Sequence, residues 1–80
     1  TEAELEEIDI IYSRASGEVR ITSPEQINQV QLYNIQGVLI KSLAPGVETV
    51  TLEVSNYPNG IYVVAVQSNG EIETKKIIIN

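Results

Sequence analysis

Apolar and polar residues alternate along most of this chain with the two-residue period of a β-strand. The clearest stretch is residues 47–54, where Val50, Leu52 and Val54 point to one face while threonines and a glutamate point to the other. Similar patterns predict strands over residues 8–12, 18–22, 27–33 and 38–43. No stretch of about ten residues has the period of an amphipathic helix, so the chain is predicted to be all-β.

The last third of the chain predicts a β-hairpin. Its first strand is apolar on both faces, with Ile61, Val63 and Ala65 on one and Tyr62, Val64 and Val66 on the other. This pattern is typical of a central strand that is covered on both sides. Asn69-Gly70 follows, and these residue types best tolerate the positive φ angles of a two-residue type I′ turn. The residues after Gly70 are therefore predicted to return as the partner strand.

Groups of turn-forming residues separate the predicted strands at intervals of roughly ten residues. They are Ala15-Ser16-Gly17, Ser23-Pro24-Glu25, Asn34-Ile35-Gln36-Gly37, Ala44-Pro45-Gly46 and Tyr57-Pro58-Asn59-Gly60. Asn34 is suited to cap its own backbone in a type I turn, and Gly37 to take the left-handed conformation after it. The predicted fold is a small immunoglobulin-like antiparallel β-sandwich of about seven strands, with a small open barrel as the second choice.

Composition excludes most kinds of active site. The 80 residues form one domain with a modest core, and they include no Cys, His, Met or Trp. Structural zinc, thiol nucleophiles, imidazole bases and haem ligation by these side chains are thereby excluded. No apolar stretch reaches the ~20 residues of a membrane-spanning helix. We therefore predict a domain without enzymatic activity, cofactor, metal or membrane span.

The net charge of −6 is concentrated at the start of the chain. The first nine residues contain no basic residue and five acidic ones, which are Glu2, Glu4, Glu6, Glu7 and Asp9. We interpret residues 1–7 as an acidic linker and residues 8–80 as the folded domain. Nucleic acid is not a predicted partner of such an acidic chain. Because the chain begins with Thr1 and not with Met, we expect it to be a piece of a longer protein.

The other charged and aromatic residues have ordinary structural interpretations. The carboxylates at strand or turn positions are expected to be solvated: Glu48, Glu53, Glu71 and Glu73. The tyrosines are expected to pack in the core or at a sheet edge with the hydroxyl at water: Tyr12, Tyr33, Tyr57 and Tyr62. The alternative is that they form an aromatic platform for sugars. Lys75 and Lys76 precede three isoleucines, where they act either as gatekeepers against aggregation or as a recognised basic feature.

Several short motifs occur together in the order and spacing of a known family. They are Ile11-Tyr12 before Ala15-Ser16-Gly17, then Val30-Gln31-Leu32-Tyr33-Asn34-Ile35-Gln36-Gly37, then Leu52 and Tyr57, then Asn59-Gly60-Ile61-Tyr62-Val63-Val64, and finally Gly70 before Lys75-Lys76-Ile77-Ile78-Ile79. Over residues 11–79 the chain resembles the C-terminal sorting domain of proteins exported by the type IX (Por) secretion system of Bacteroidetes. The sorting-motif residues carried over from this resemblance are Asn34, Gly37, Asn59, Gly60, Tyr62, Val64, Gly70, Lys75, Lys76, Ile77, Ile78 and Ile79.

The resemblance implies a sandwich that sorts a larger protein and is not an enzyme. It implies a cargo domain covalently attached upstream, and as partners the outer-membrane secretion machinery and a sortase-like peptidase that removes the domain. The exported protein would cross the periplasm and reach the outer membrane, the cell surface or the medium. The alternative function is a passive β-sandwich spacer or adhesion module of a surface protein, which pairs its strand edges with a partner or with itself.

Overall fold

A computed structural model describes residues 8–80, and the predicted acidic linker of residues 1–7 lies outside the described residues. The described chain contains six antiparallel strands: β1 (Asp9–Ser13), β2 (Glu18–Asn34), β3 (Leu39–Leu43), β4 (Val47–Glu53), β5 (Gly60–Ser68) and β6 (Glu71–Ile79). This confirms the predicted all-β, sandwich-like fold. None of the described residues is helical.

Strand β2 belongs to both layers of the sandwich. Its first part pairs with β1 on one side and β4 on the other, whereas its second part pairs with β3 and β5. Strand β6 pairs with β5 and forms the edge of the second layer. Counted once in each layer, β2 contributes two strand segments, which brings the six strands to the predicted number of about seven.

The group Ser23-Pro24-Glu25 does not end a strand as predicted, because β2 continues through it. The register between β2 and β4 shifts between Thr22 and Ile27, so these residues form a bend in a continuous strand. Pro24 has no N–H to donate to a neighbouring strand, but its fixed φ is compatible with extended backbone. Proline therefore interrupts the hydrogen-bond ladder here without reversing the chain.

A buried pair of serines connects the bend to the end of β5. The Ser23 and Ser68 hydroxyls are 2.9 Å apart, and the Ser68 hydroxyl donates to the Gln26 carbonyl at 2.8 Å. Each hydroxyl has a single proton, so Ser23 is the donor in the bond between them. The Ser23 Oγ also accepts a hydrogen bond from the Glu25 N–H at 3.2 Å. Both buried hydroxyls are satisfied, and the bend is held by polar contacts.

The core lies between the layers and consists of the inward residues that the alternation predicts. Its buried members are Ile10, Val19, Ile21, Ile27, Val30, Leu32, Val50, Leu52, Val54, Tyr62, Val64, Val66, Ile77 and Ile79. Along β2 the inward set changes from odd to even residue numbers after Ile27. The register with β5 shifts between Ile27 and Gln29, and one extra residue in a strand reverses the side to which the following side chains point.

Strand β5 is central but is covered on one face only by the described residues. Tyr62, Val64 and Val66 are buried, whereas Ile61, Val63 and Ala65 on the other face are partly exposed. The prediction that both faces are covered is therefore wrong. Apolar residues on both faces of a strand predict a layer packed against each face. In the described chain, the layer that contains β1 and β4 packs against one face of β5 only.

The two predicted turns with special backbone geometry are confirmed. Asn69 and Gly70 have φ angles of 52° and 80°, as a type I′ turn requires. The Asn34 side-chain oxygen accepts hydrogen bonds from the N–H groups of Gln36 and Val38, both at 2.9 Å, and Gly37 has a φ of 84°. The side chain of Asn34 thus satisfies the backbone of its own turn.

The close approach of Gly17, in the turn between β1 and β2, to Ser55 can be tested by substitution. Replacement of Gly17 by Ala is expected to reduce the free energy of unfolding more than replacement of Gly37 by Ala. Both glycines have left-handed φ angles, of 68° and 84°, which cost an alanine about 1 kcal/mol. A Cβ at Gly17 would also lie 2.7 Å from the Cβ of Ser55, whereas nothing lies within 4 Å at Gly37.

The contact with Ser55 is expected to lower the free energy of unfolding of the Gly17→Ala variant by about a further 1–3 kcal/mol, which is the usual cost of overpacking. Urea unfolding of both variants measures the difference, and the Gly37→Ala variant supplies the matched control for backbone strain alone. Equal losses in the two variants would show that Gly17 and Ser55 do not approach closely.

Candidate functional site

The fold brings most sorting-motif residues to one end of the second layer. Asn34 lies opposite Tyr62, Tyr62 opposite Ile77, and Gly60 opposite Ile79. Gly37 belongs to the turn after Asn34, where its N–H donates to the Asn34 carbonyl at 2.9 Å. Asn59 precedes Gly60 directly. Gly70 lies at the other end of the hairpin, about 25 Å away at the usual rise per residue of a strand.

Four of the motif residues are part of the hydrophobic core. Tyr62, Val64, Ile77 and Ile79 are each at most 6% exposed. A partner that docks on the folded domain does not touch these side chains. These four side chains hold β5 and β6 in the fold.

Tyr62 also fixes the approach to β5. Its hydroxyl donates to the Pro58 carbonyl at 2.7 Å, and its ring packs against Tyr57 with a centroid distance of 6.2 Å. A tyrosine that bonds back to the backbone a few residues upstream is a known device of β-sandwiches. The prediction that the tyrosine hydroxyls lie at water is wrong for buried Tyr62. The hydroxyl of partly exposed Tyr33 donates to the Gln31 side chain at 3.0 Å.

The two neighbouring lysines of β6 lie on opposite faces and have different surroundings. Lys75 lies opposite buried Val64, and its Nζ donates to the Ile10 carbonyl at 2.8 Å. Ile10 belongs to β1, at the edge of the other layer, so Lys75 bridges the two layers. Lys76 lies opposite Val63 on the outer face and is exposed. Both lysines are exposed, but the Nζ of Lys75 is bonded to the Ile10 carbonyl, whereas Lys76 lies on the outer face.

The outer face of the second layer has an apolar end that sequence reasoning did not identify. Ile78 lies opposite Ile61, and Tyr33 lies opposite Val63. Ile78 is 54% exposed, and Ile61, Val63 and Tyr33 are partly exposed. We call these four residues, together with Lys76, the outer patch. The sequence shows that the outer side of β5 is apolar, but it predicts this side to be a second buried face.

The described residues contain no constellation with evident catalytic chemistry. Glu48, Glu53, Glu71 and Glu73 are exposed, as predicted. Among residues 8–80, no group of three or more His, Cys, Asp and Glu side chains is placed to hold a metal ion. An open depression of about 340 Å³ on the β1–β2 hairpin is lined by Ile11, Ser13, Ser16, Glu18 and Arg20, with a single carboxylate among them. No helix that could cross a membrane occurs in the described chain.

The chain matches a known protein family. The model of the family described as "Secretion system C-terminal sorting domain" matches residues 15–80. This range includes β2 to β6 and every residue of the sorting motif. No curated protein matches the chain.

The bond between Tyr62 and Pro58 predicts a difference between two conservative variants. Replacement of Tyr62 by Phe is expected to lower the free energy of unfolding by about 1 kcal/mol, because the part-buried hydrogen bond to the Pro58 carbonyl is lost. Tyr57→Phe is the control, since Tyr57 lies beside Tyr62 and its hydroxyl makes no such bond to any of residues 8–80. Thermal unfolding of both variants measures the effect. A loss in Tyr57→Phe as large as in Tyr62→Phe would contradict the assignment.

The two lysines predict an asymmetry of stability. Lys75→Met removes the donor to the Ile10 carbonyl and is expected to lower the free energy of unfolding by about 1 kcal/mol, whereas Lys76→Met leaves it nearly unchanged. Methionine keeps most of the length of the lysine side chain in both variants. Chemical denaturation is the measurement. The opposite order of stabilities would mean that Lys75 does not bridge the layers.

Proposed function

This chain belongs to the family of secretion-system C-terminal sorting domains, and from this premise we propose that its last strand is the part that the outer-membrane export machinery recognises. The family is a sorting signal for type IX secretion, which directs an attached cargo toward the cell surface or into the medium. Family membership favours sorting over the alternative of a passive spacer or adhesion module. Sorting domains of this family are not catalytic.

The proposed order of steps during export follows from a sorting signal that is part of the same chain as its cargo. The cargo precedes the domain and is joined to it through residues 1–7, which act as an acidic linker. The protein reaches the periplasm, where the outer-membrane machinery binds the folded domain. A sortase-like peptidase then removes the domain, and the cargo stays at the surface or is released.

One observation supports a role for β6 above the other strands. It is an edge strand of its layer, and it combines residues that anchor it with residues that remain outside. Ile77 and Ile79 are buried in the core, whereas Lys76 and Ile78 between and beside them are exposed. A partner can therefore contact β6 while the strand remains folded into the sandwich.

Fusion of residues 1–80 to a reporter with a signal peptide tests the proposal in a bacterium that has the type IX system. The intact fusion is expected at the cell surface or in the medium, and a fusion that lacks residues 75–80 is expected to remain in the periplasm. The deletion also removes buried Ile77 and Ile79, so loss of export alone does not separate recognition from folding. Normal export of the deleted form would contradict the proposal.

Two point variants separate recognition from stability. Lys76→Gln changes an exposed side chain of the outer patch, and Lys75→Gln changes the bridge to Ile10. If the machinery reads the side chains of the outer face, Lys76→Gln reduces surface reporter several-fold while the variant unfolds at the same temperature as the parent. Reduced export only in Lys75→Gln would indicate that the bridge between layers matters and that the outer face does not.

A further inference from the structure

The open edge of β6 is long and regular. All nine residues of β6 pair with β5 without a shift of register, from Gly60 opposite Ile79 to Ser68 opposite Glu71. Among the described residues, no strand pairs with the other side of β6. Strand β6 contains no proline and no bulge, which are two of the devices that prevent a further strand from adding to an edge.

The hairpin turn determines which backbone groups face the open edge. In a two-residue turn, the N–H of Glu71 bonds to the carbonyl of Ser68, so this pair is hydrogen-bonded. Bonded and non-bonded pairs alternate along an antiparallel ladder. The backbone groups of the odd-numbered residues of β6 therefore point toward β5. Those of the even-numbered residues Ile72, Thr74, Lys76 and Ile78 point away from it.

The same four residues carry the outer side chains of β6. Ile77 and Ile79 are buried, so the alternation places Ile72, Thr74, Lys76 and Ile78 on the outer face. Ile72 and Ile78 are 67% and 54% exposed. A strand that adds to this edge would form its hydrogen bonds with these four residues. Alternate side chains of that strand would lie beside the outer patch.

The other edges of the sandwich are β1, β3 and β4, and they are less suitable for an added strand. Strand β4 has seven residues, and its register with β2 shifts between Thr22 and Ile27. Strand β1 has five residues, and the carbonyl of Ile10 already accepts a hydrogen bond from Lys75. Strand β3 also has five residues, and its register with β2 shifts between Leu32 and Tyr33. Short strands and irregular registers protect edges against pairing. Strand β6 has nine residues and an even register.

A second copy of this chain does not suit the β6 edge well. In a symmetric antiparallel pairing that uses all nine residues, Lys75 of one copy would lie directly opposite Lys75 of the other. Like charges at directly opposite positions destabilise a strand pair. The charges of β6 therefore favour a different sequence as its partner.

We propose that the open edge of β6 accepts an extended strand of a partner protein, which places a carboxylate opposite Lys76 and apolar side chains opposite Ile72 and Ile78. Backbone hydrogen bonds provide the attachment, and the alternation of apolar and acidic side chains provides the register. This inference rests on the proposed function, because it assigns the chemistry of the partner that reads β6. The partner strand runs antiparallel to β6 and extends the second layer.

A synthetic nine-residue peptide is the probe for this surface. It carries Val, Glu, Thr and Val opposite Ile78, Lys76, Thr74 and Ile72, with serines between them, and a control peptide has Lys in place of Glu. Titration of the isotopically labelled 80-residue chain, followed by amide chemical shifts, is expected to shift the four edge residues most. The control peptide is expected to bind roughly fivefold more weakly, because one attractive cross-strand pair becomes repulsive.

Variants of the chain give the decisive tests. Thr74→Pro removes an N–H that faces the open edge and leaves the bonds to β5 intact, so it is expected to weaken the Glu peptide at least tenfold. Thr74→Ala keeps that N–H and is expected to bind as the parent does. Lys76→Glu is expected to reverse the preference between the two peptides. Equal binding by Thr74→Pro and Thr74→Ala, or no reversal in Lys76→Glu, would overturn the proposal.

Two further outcomes also have a definite meaning. Shifts of the same amides with chain concentration, in the absence of peptide, would identify a second copy as the occupant and overturn the proposal. Loss of reporter export in Thr74→Pro, with export kept in Thr74→Ala, would support it. The proposed function is tested separately by the deletion of residues 75–80. Export of that deleted form would contradict sorting by β6. It would not contradict binding of the peptide to the β6 edge of the intact chain.

Discussion

The bend in β2 is the constraint on which the rest of the structure depends. Before the bend β2 pairs with β1 and β4, and after it with β3 and β5, so this one strand joins the two layers. Pro24 interrupts the ladder, and the buried hydroxyls of Ser23 and Ser68 hold the bend against the end of β5. A short chain can form two layers in this way without an additional connecting segment. The core then forms between the two parts of the same strand.

The position of β6 follows from that arrangement. Because β5 pairs with the second part of β2, β6 can only add outside β5, where it becomes an edge. Its odd-numbered side chains from Ile77 onward enter the core, and Lys75 reaches the carbonyl of Ile10 in the other layer. The even-numbered side chains and backbone groups remain outside. Strand β6 therefore stabilises the sandwich on one side and presents an exposed face on the other.

Much of the fold could be predicted from residue types at particular positions. The alternation at Val50, Leu52 and Val54 correctly identified a buried face, and Asn69-Gly70 correctly identified a type I′ hairpin. These features are local, since they depend on neighbours a few residues apart. The bend at Pro24 was less predictable, because a proline between two strand patterns fits a turn and a bent strand equally well. The pairing of β2 with four other strands shows that Pro24 lies in a bent strand and not in a turn.

The sequence by itself determined the fold class, the turn geometry and the family, because each depends on the order of residues along the chain. The tertiary structure alone decided which of the motif residues are accessible. Lys75 and Lys76 are adjacent in sequence, but opposite faces of β6 give them different roles. The outer side of β5 is as apolar as its inner side, and only the position of the other layer shows which one is left uncovered. Burial depends on contacts between distant parts of the chain, and a local pattern does not specify them.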